Sequence, residues 1–306
     1  MPTLLDPKND YVFKRLFADE PELLIALINA VRYRAPPIRS IRIRNPAIDP
    51  SELHGKYIML DLLAEDSNGT RYNIEMQVRR QHAYGARSTY YLAKIICDQL
   101  VAGDAYERLC PVVGIHLLDF DLFRAQEHRG QAIWCFEMRD LDTPNVCLGD
   151  ELQLNVIELK KAERLGQLPP ALSAWVTLFE HWQEENIMSA ITDKPTRRAY
   201  DKLAALSADE EARRLAFVRE RALHDEAQFL LEAREEGREE GRKEGHKEGR
   251  KEGRKEGHKE GQKKGRDDAL RQTAANLIRN TGLDDASIAT VTGLNIGEIA
   301  ALRGDV

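Results

Sequence analysis

Two carboxylates sit where a chain would not normally bury a charge. Asp61 lies inside the run Tyr57-Ile58-Met59-Leu60-Asp61-Leu62-Leu63, and Glu75 inside Tyr72-Asn73-Ile74-Glu75-Met76-Gln77-Val78. Burying a carboxylate in such a run costs roughly several kcal/mol unless it is paired or coordinates a metal. Residues i and i+2 of a strand share a face, so Gln77 stands beside Glu75. The sequence Asp66-Ser67-Asn68-Gly69 between the two runs is a turn signal. If Ser67, Asn68 and Gly69 form a three-residue loop, Asp66 pairs with Thr70 and Asp61 falls opposite Glu75, about 5 Å away on one face. Carboxylates that close repel each other unless a cation lies between them. Mg²⁺ suits carboxylate oxygens, water and phosphate, and can polarise a phosphoryl oxygen and acidify a bound water. A loop one residue longer or shorter would put the two acids on opposite faces. The plain alternative is a solvated sheet face.

The flanking elements must position that hairpin. Asp10 to Phe17 has helical spacing with Asn9 or Asp10 as N-cap, and Pro21 opens a second helix over Glu22 to Val31. Pro36-Pro37 ends it, and Ile38 to Arg44 alternates as a strand. The hairpin strands are Tyr57 to Glu65 and Arg71 to Val78. A long amphipathic helix follows over Ala83 to Gly103, then an apolar, buried strand over Val112 to Leu118. Ala132 to Met138 and Leu152 to Leu159 extend the sheet, and Leu168 to Leu231 is helical. The reading is an α/β core at 1–165, a helical extension at 166–233, a glycine and charge repeat at 234–266 as exposed helix or spacer, and a small helical module at 267–306.

Composition narrows the classes. The 306 residues carry a formal net charge of −6, yet Arg234 to Arg266 holds 13 Lys/Arg against 9 Asp/Glu, so the rest of the chain stands at −10. That balance argues against a sequence-blind DNA coat but leaves room for an enzyme that meets DNA at one local basic surface. Cys97, Cys110, Cys135 and Cys147 form no C-x-x-C pair and have mostly apolar neighbours, which predicts buried free thiols. The histidines show no metal-site spacing. No apolar run approaches 18 residues and no N-terminal signal pattern is present, which predicts a soluble, cytoplasmic protein without membrane contact.

The order helix, three strands, helix, strand, with Asp61 followed by Glu75-Met76-Gln77, resembles the restriction-endonuclease-like core of PD-(D/E)XK nucleases. E-x-Q in place of E-x-K is similar to the Rpn branch of recombination-promoting nucleases and putative transposases. Asp10-Tyr11-Val12-Phe13-Lys14, Arg87-Ser88-Thr89-Tyr90-Tyr91, and Gly103-Asp104-Ala105-Tyr106 leading to Pro111-Val112-Val113 match that family's surrounding words. The resemblance covers roughly residues 5 to 160, with a weaker echo at the C-terminus. It implies a Mg²⁺-dependent (or Mn²⁺-dependent) DNA endonuclease linked to recombination or mobile elements. Asp61, Glu75 and the backbone carbonyl of Met76 would be metal ligands. Gln77 would hold the attacking water, without a charge to acidify it. Asp10 either reaches the metal from the first helix or simply caps it. The alternative is a DNA-binding accessory protein with weak or no cleavage; a purely structural interaction protein is a third class, which the two buried acids argue against.

Arginines gather near the hairpin. Lys14, Arg42, Arg44, Arg79 and Arg87 are the candidate DNA contacts, since Arg suits bidentate phosphate contact. Tyr90 and Tyr91 fit packing better than base stacking. Glycine recurs every four residues from Gly237 to Gly265, separated by charged units. Each costs about 1 kcal/mol relative to Ala in a helix, and Glu–Lys pairs recover part of it. The glycines drift around the helix, which predicts an exposed, fraying spacer rather than a dimer seam. At the C-terminus, Asp285 to Leu302 resembles a helix-turn-helix. Its second helix offers little beyond Asn295 and Arg303 for base reading, which fits a packing or self-association module of a homo-oligomer better than a DNA reader.

Overall fold

The computed structural model describes residues 3–45, 62–80 and 83–304. Within it the chain forms two compact units, residues 1–227 and 228–306.

In the first unit, α1 (Asp10–Ala18) begins where the Asn9 carboxamide oxygen accepts from the amides of Tyr11 and Val12 at 3.0 and 3.4 Å. Pro21 opens α2 (Pro21–Val31). Strands β1 (Ile41–Ile43), β2 (Leu62–Asp66) and β3 (Arg71–Gln77) follow, then α3 (Tyr84–Cys97), β4 (Val112–Leu118), β5 (Ile133–Glu137) and β6 (Leu152–Glu158). Among the described residues the strands form one sheet in the order β1-β2-β3-β4-β6-β5. The β3–β4 and β4–β6 pairs are parallel and the rest antiparallel. Helices α4 (Leu159–Leu165), α5 (Pro170–His181), α6 (Glu185–Ala190), α7 (Lys194–Ala208) and the first part of α8 (Glu210–Asn280) complete the unit. The architecture is the mixed α/β arrangement expected from the order of elements. No helix of the described residues is long and apolar enough to cross a membrane.

The hairpin has the register on which the sequence argument turned. Leu62 pairs with Ile74, Leu63 with Asn73 and Ala64 with Tyr72, and the Asp66 amide donates to Thr70 O at 3.0 Å. The Asp66 carboxylate builds the turn by accepting from the amides of Asn68 (2.8 Å) and Thr70 (3.1 Å). Gly69 closes it at φ +86°, where a Cβ would also lie 2.7 Å from the Cys110 sulfur. Asp61 and the expected strand residues 57–61 lie outside the described residues.

Alternation along β3 divides the sheet between two cores. Tyr72, Ile74 and Met76 face the larger one, with Val113, Ile115 and Leu117 of β4, Phe13 and Phe17 of α1, Leu24 and Ile28 of α2, and Trp175 and Phe179 of α5. Helix α3 lies over the opposite face, where Tyr84 packs with Leu118 and Val156. The helix comes so close that a Cβ on Gly114 would meet Leu92 and Leu154 carbons at 2.9–3.2 Å. The boundary expected at residue 165 does not separate two cores, because Leu172, Trp175, Leu203 and Ala216 belong to the same buried cluster as α1 and α2.

Other expectations need correction. The strand expected over Ile38 to Arg44 shrinks to Ile41–Ile43, because Asn29 of α2 takes both backbone groups of Ile38 (2.9 and 3.0 Å). The helix expected to reach Gly103 ends at Cys97, since the Gln99 amide clamps the backbone N–H and C=O of Cys110, both at 2.9 Å. All four cysteines are free, but none is buried: Cys97 sits at the end of α3, Cys135 on the edge strand β5, and Cys147 beyond it. Apolar neighbours in sequence do not bury a residue that the sheet edge leaves uncovered.

At the end of β6, Glu158 is fully buried and fully bonded. Its carboxylate accepts from the amides of Leu122 (2.5 Å) and Phe123 (2.9 Å), the Trp134 indole (2.8 Å) and the Lys161 ammonium (2.6 Å). One side chain thus holds the chain leaving β4 against β5 and α4.

In the second unit, Gly237 to Gly265 lie within α8 and are exposed, with no atom within 4 Å of an added Cβ at any of the eight. The end of α8 packs with α9 (Asp285–Thr292) and α10 (Ile296–Gly304) around Ala274, Ile288 and Ile299. Asp284 caps α9 through the Ser287 amide at 2.9 Å, and Gly293 ends it at φ +72°.

Two outcomes follow. Glu158→Leu strands Lys161 and three N–H donors and should lower unfolding free energy by roughly 3–5 kcal/mol in a denaturant titration; a loss below 1 kcal/mol would show the network to be dispensable. Gly249→Ala and Gly253→Ala, having room for the methyl, should each stabilise the local helix by about 1 kcal/mol and slow amide exchange there about fivefold; unchanged exchange would contradict helix formation in this segment.

Candidate metal and nucleic-acid site

Glu75 is carried on the α3-facing side of β3, between Asn73 and Gln77, and its Cα partner on β4 is His116. Its side chain is 13% exposed. Each oxygen accepts one neutral amide hydrogen: Asn73 Nδ2 donates to Oε1 at 2.7 Å and Gln77 Nε2 to Oε2 at 2.9 Å. Among the described residues no Lys or Arg lies within ion-pair range. Among the described residues the ionisable nitrogen that comes within ion-pair range is His116 Nε2, 3.8 Å from Oε1.

His116 is 1% exposed, and burial holds its pKa below the ordinary 6.5 against the smaller opposing pull of Glu75, so it is neutral near pH 7. The Tyr84 hydroxyl lies 2.7 Å from Nδ1 with the rings edge-to-face. Burial, reinforced by the charges of Glu75 and Glu158, pushes the Tyr84 phenol well above its usual pKa, so it keeps its proton. A phenol is a better donor than a neutral imidazole and a poorer acceptor, so Tyr84 donates to Nδ1 and the ring proton sits on Nε2, facing Glu75. Two buried polar atoms here have no hydrogen-bond partner among the described residues, His116 Nε2 and Asn73 Oδ1.

This donor set fits a divalent cation. A carboxylate has about four lone-pair positions, and two amides leave half of Glu75's capacity open. Neutral donors orient it without neutralising it, so its charge stays available for a cation. Among the described residues no group of three or more His, Cys, Asp and Glu is arranged to hold a metal. The second carboxylate expected, Asp61, lies outside the described residues, and so does its pairing with Glu75. Met76 lies between Glu75 and Gln77 on β3 with its side chain in the larger core.

The other expected residues fall elsewhere. Asn9, not Asp10, caps α1. Arg219 of α8 bridges the Asp10 carboxylate, with Nε at 2.9 Å from both oxygens and a terminal nitrogen at 2.6 Å from Oδ2. The acid expected to reach a metal is thus neutralised by an arginine 6% exposed, which sequence separation of 209 residues concealed. Lys14 is buried at 3%, not on the surface, because α1 is covered nearly all round. Arg42 is exposed on β1, and Arg44 pairs with Glu65 at 3.4 Å, which Arg71 approaches at 3.9 Å. Arg79 donates to the Leu223 carbonyl, and the Arg87 guanidinium lies over the Tyr91 ring at 5.4 Å. Tyr90 is 64% exposed. The sequence reading passed over His116, Tyr84 and Asn73. A signal existed for His116, an ionisable residue in the otherwise apolar run Val112 to Leu118, which is the reasoning that picked out Asp61.

Comparison with known proteins agrees with this architecture. Residues 7–233 match the family model described as PD-(D/E)XK nuclease family transposase, a span running from just before α1 into α8 and including α5–α7. No curated protein and no solved structure matches the chain. The matched span is well over half of the 306 residues, and it contains the whole sheet and the helices that cover it: the chain belongs to the PD-(D/E)XK nuclease family transposases.

Proposed function

We propose that the protein is a metal-dependent DNA endonuclease, using Mg²⁺ or Mn²⁺ to hydrolyse phosphodiester bonds. The observation that carries this reading is a poorly exposed Glu75 held by two neutral amides with no cation among the described residues. Glu75 and Asp61, with the backbone carbonyl of Met76, would hold the ion. When bound, it would supply Lewis acidity to a phosphoryl oxygen and lower the pKa of a coordinated water.

The chain's own residues orient and position. Asn73 and Gln77 fix the Glu75 carboxylate from both sides. Gln77 spends one N–H on Glu75, which leaves its carbonyl oxygen to accept from the attacking water; it orients that water and cannot serve as a charged activator. Tyr84 fixes the His116 tautomer, so that Nε2–H faces Glu75 Oε1 and can close on it. Arg42 and Arg44 on β1, with Arg79 and Arg87 beyond β3, are the proposed phosphate contacts. Asp10 has a tethering role through Arg219. A second reading, a DNA-binding accessory protein with weak cleavage, is favoured by Gln77 lacking the usual lysine charge. In the second unit, Asn295 caps α10 through the Glu298 amide (2.8 Å), and Arg303 pairs with Asp285 (2.8 Å) and the Leu283 carbonyl (3.0 Å). With both polar candidates engaged, we assign residues 267–306 to packing or self-association.

Supercoiled plasmid incubated with the protein and Mg²⁺ or Mn²⁺ should be cleaved, and a chelator should abolish cleavage. Asp61→Ala and Glu75→Ala should each lose more than about a hundredfold in rate. Cleavage untouched by either substitution would overturn the site, and plasmid binding without cleavage would favour the accessory reading. Separately, ¹⁵N NMR should show His116 as the neutral Nε2–H tautomer. Tyr84→Phe should mix the tautomers and weaken Mn²⁺ binding roughly 10–100-fold; an unchanged tautomer would remove Tyr84 from the positioning role.

A further inference from the structure

A cavity of about 790 Å³ opens on the other side of the sheet. Its floor includes Gln153 and Asn155 of β6, which align through Val113 and Ile115 with Tyr72 and Ile74, so it lies on the face opposite Glu75. It is bounded by the residues following α2, the edge strand β5 and the end of α4. Three arginines line it, Arg32, Arg34 and Arg139, against one carboxylate, Glu137.

The charges are unequally spent. Arg139 pairs with Glu137, which also accepts from Gln153 Nε2 at 2.5 Å. Arg32 has no carboxylate in ion-pair range among the described residues, although its charge helps hold Glu137 ionised: it donates to the Tyr72 hydroxyl at 2.9 Å and to Gln153 Oε1 at 3.3 Å, and its guanidinium lies over the Tyr72 ring. Arg34 is exposed, stacks on Tyr33 at 5.2 Å, and has no carboxylate in ion-pair range among the described residues. The cavity lining therefore carries three guanidiniums against one carboxylate, with Arg32 fixed in place, on a chain whose total charge is negative. Guanidiniums present paired N–H donors that match phosphate oxygens. Tyr33 is 42% exposed and offers a ring face, and the amide of Gln167 offers both a donor and an acceptor to a base edge. The volume is that of a small-molecule pocket.

We propose that this cavity is a second ligand site, separate from the Glu75 site, that binds a nucleotide through its phosphate and base. The nucleotide is either free or the phosphorylated end of a single strand; both present the same chemistry. The site does not depend on the proposed nuclease activity, because no residue is shared with it.

The test is calorimetry on the full chain in chelator, with thymidine 5′-monophosphate, thymidine, inorganic phosphate and a 5′-phosphorylated oligothymidylate. The monophosphate should bind at least about tenfold tighter than thymidine or phosphate, and Arg34→Ala, which breaks no ion pair among the described residues, should weaken it at least about fivefold. Cys135 lines the cavity and Cys97 does not, so saturating monophosphate should slow alkylation of Cys135 alone, read by peptide mass spectrometry. Oligothymidylate binding about tenfold tighter than the monophosphate would identify a strand end; equal binding would identify a free nucleotide, and either supports the site. Equal affinity for monophosphate and thymidine, or for monophosphate and inorganic phosphate, would overturn it, as would an unaffected Arg34→Ala variant or an unprotected Cys135.

Discussion

Strand β3 is covered on both faces, yet it has to carry a negative charge. Leaving a carboxylate so little exposed, with no Lys or Arg in ion-pair range among the described residues, costs roughly several kcal/mol, and much of the neighbouring arrangement moderates that cost without cancelling it. Asn73 and Gln77 stand two residues either side of Glu75, so their amides meet its two oxygens from the same strand face. The parallel partner strand puts His116 directly alongside. Helix α3 brings Tyr84 to the far side of that histidine, and the missing side chain at residue 114 leaves room for Leu92 of that helix to lie against the sheet. A lysine at position 77 would neutralise Glu75 from within; the glutamine leaves the charge intact, as the proposed cation site requires.

The rest of the first unit braces this strand. The larger core fills the opposite face of β3 with Tyr72, Ile74 and Met76 under α1, α2 and α5. Arg219 ties the start of α1 to α8, and Glu158 ties the loop after β4 to β5 and α4. These links explain why the helices after residue 165 are part of the nuclease-like unit. They close the core on which the sheet rests, and the family match extends across them to residue 233.

Local features of this fold were legible in the sequence because local chemistry decides them. The turn register follows from Asp66 bonding its own loop and from Gly69 at positive φ, and β4 spans the residues its apolar run marks. What was not legible arises from distant partners. Arg219 and Asp10 meet across 209 residues, and His116 reaches Glu75 through a parallel pairing that depends on how α3 crosses over. Apolar neighbours misled for the cysteines because exposure at an edge strand is a property of sheet order, not of composition. Lys14 misled in the opposite direction, since a helix buried nearly all round takes its charged residue with it.

Everything proposed for this site requires Glu75 to be a charge held ready for a cation. Mn²⁺ titrated into the wild-type protein at neutral pH and followed by electron paramagnetic resonance should show one tight ion per chain. Glu75→Gln keeps the size and the hydrogen-bonding ability of the side chain while removing its charge, and should abolish that ion with the circular dichroism spectrum unchanged. A Glu75→Gln variant that binds Mn²⁺ as tightly as the wild type would contradict the account.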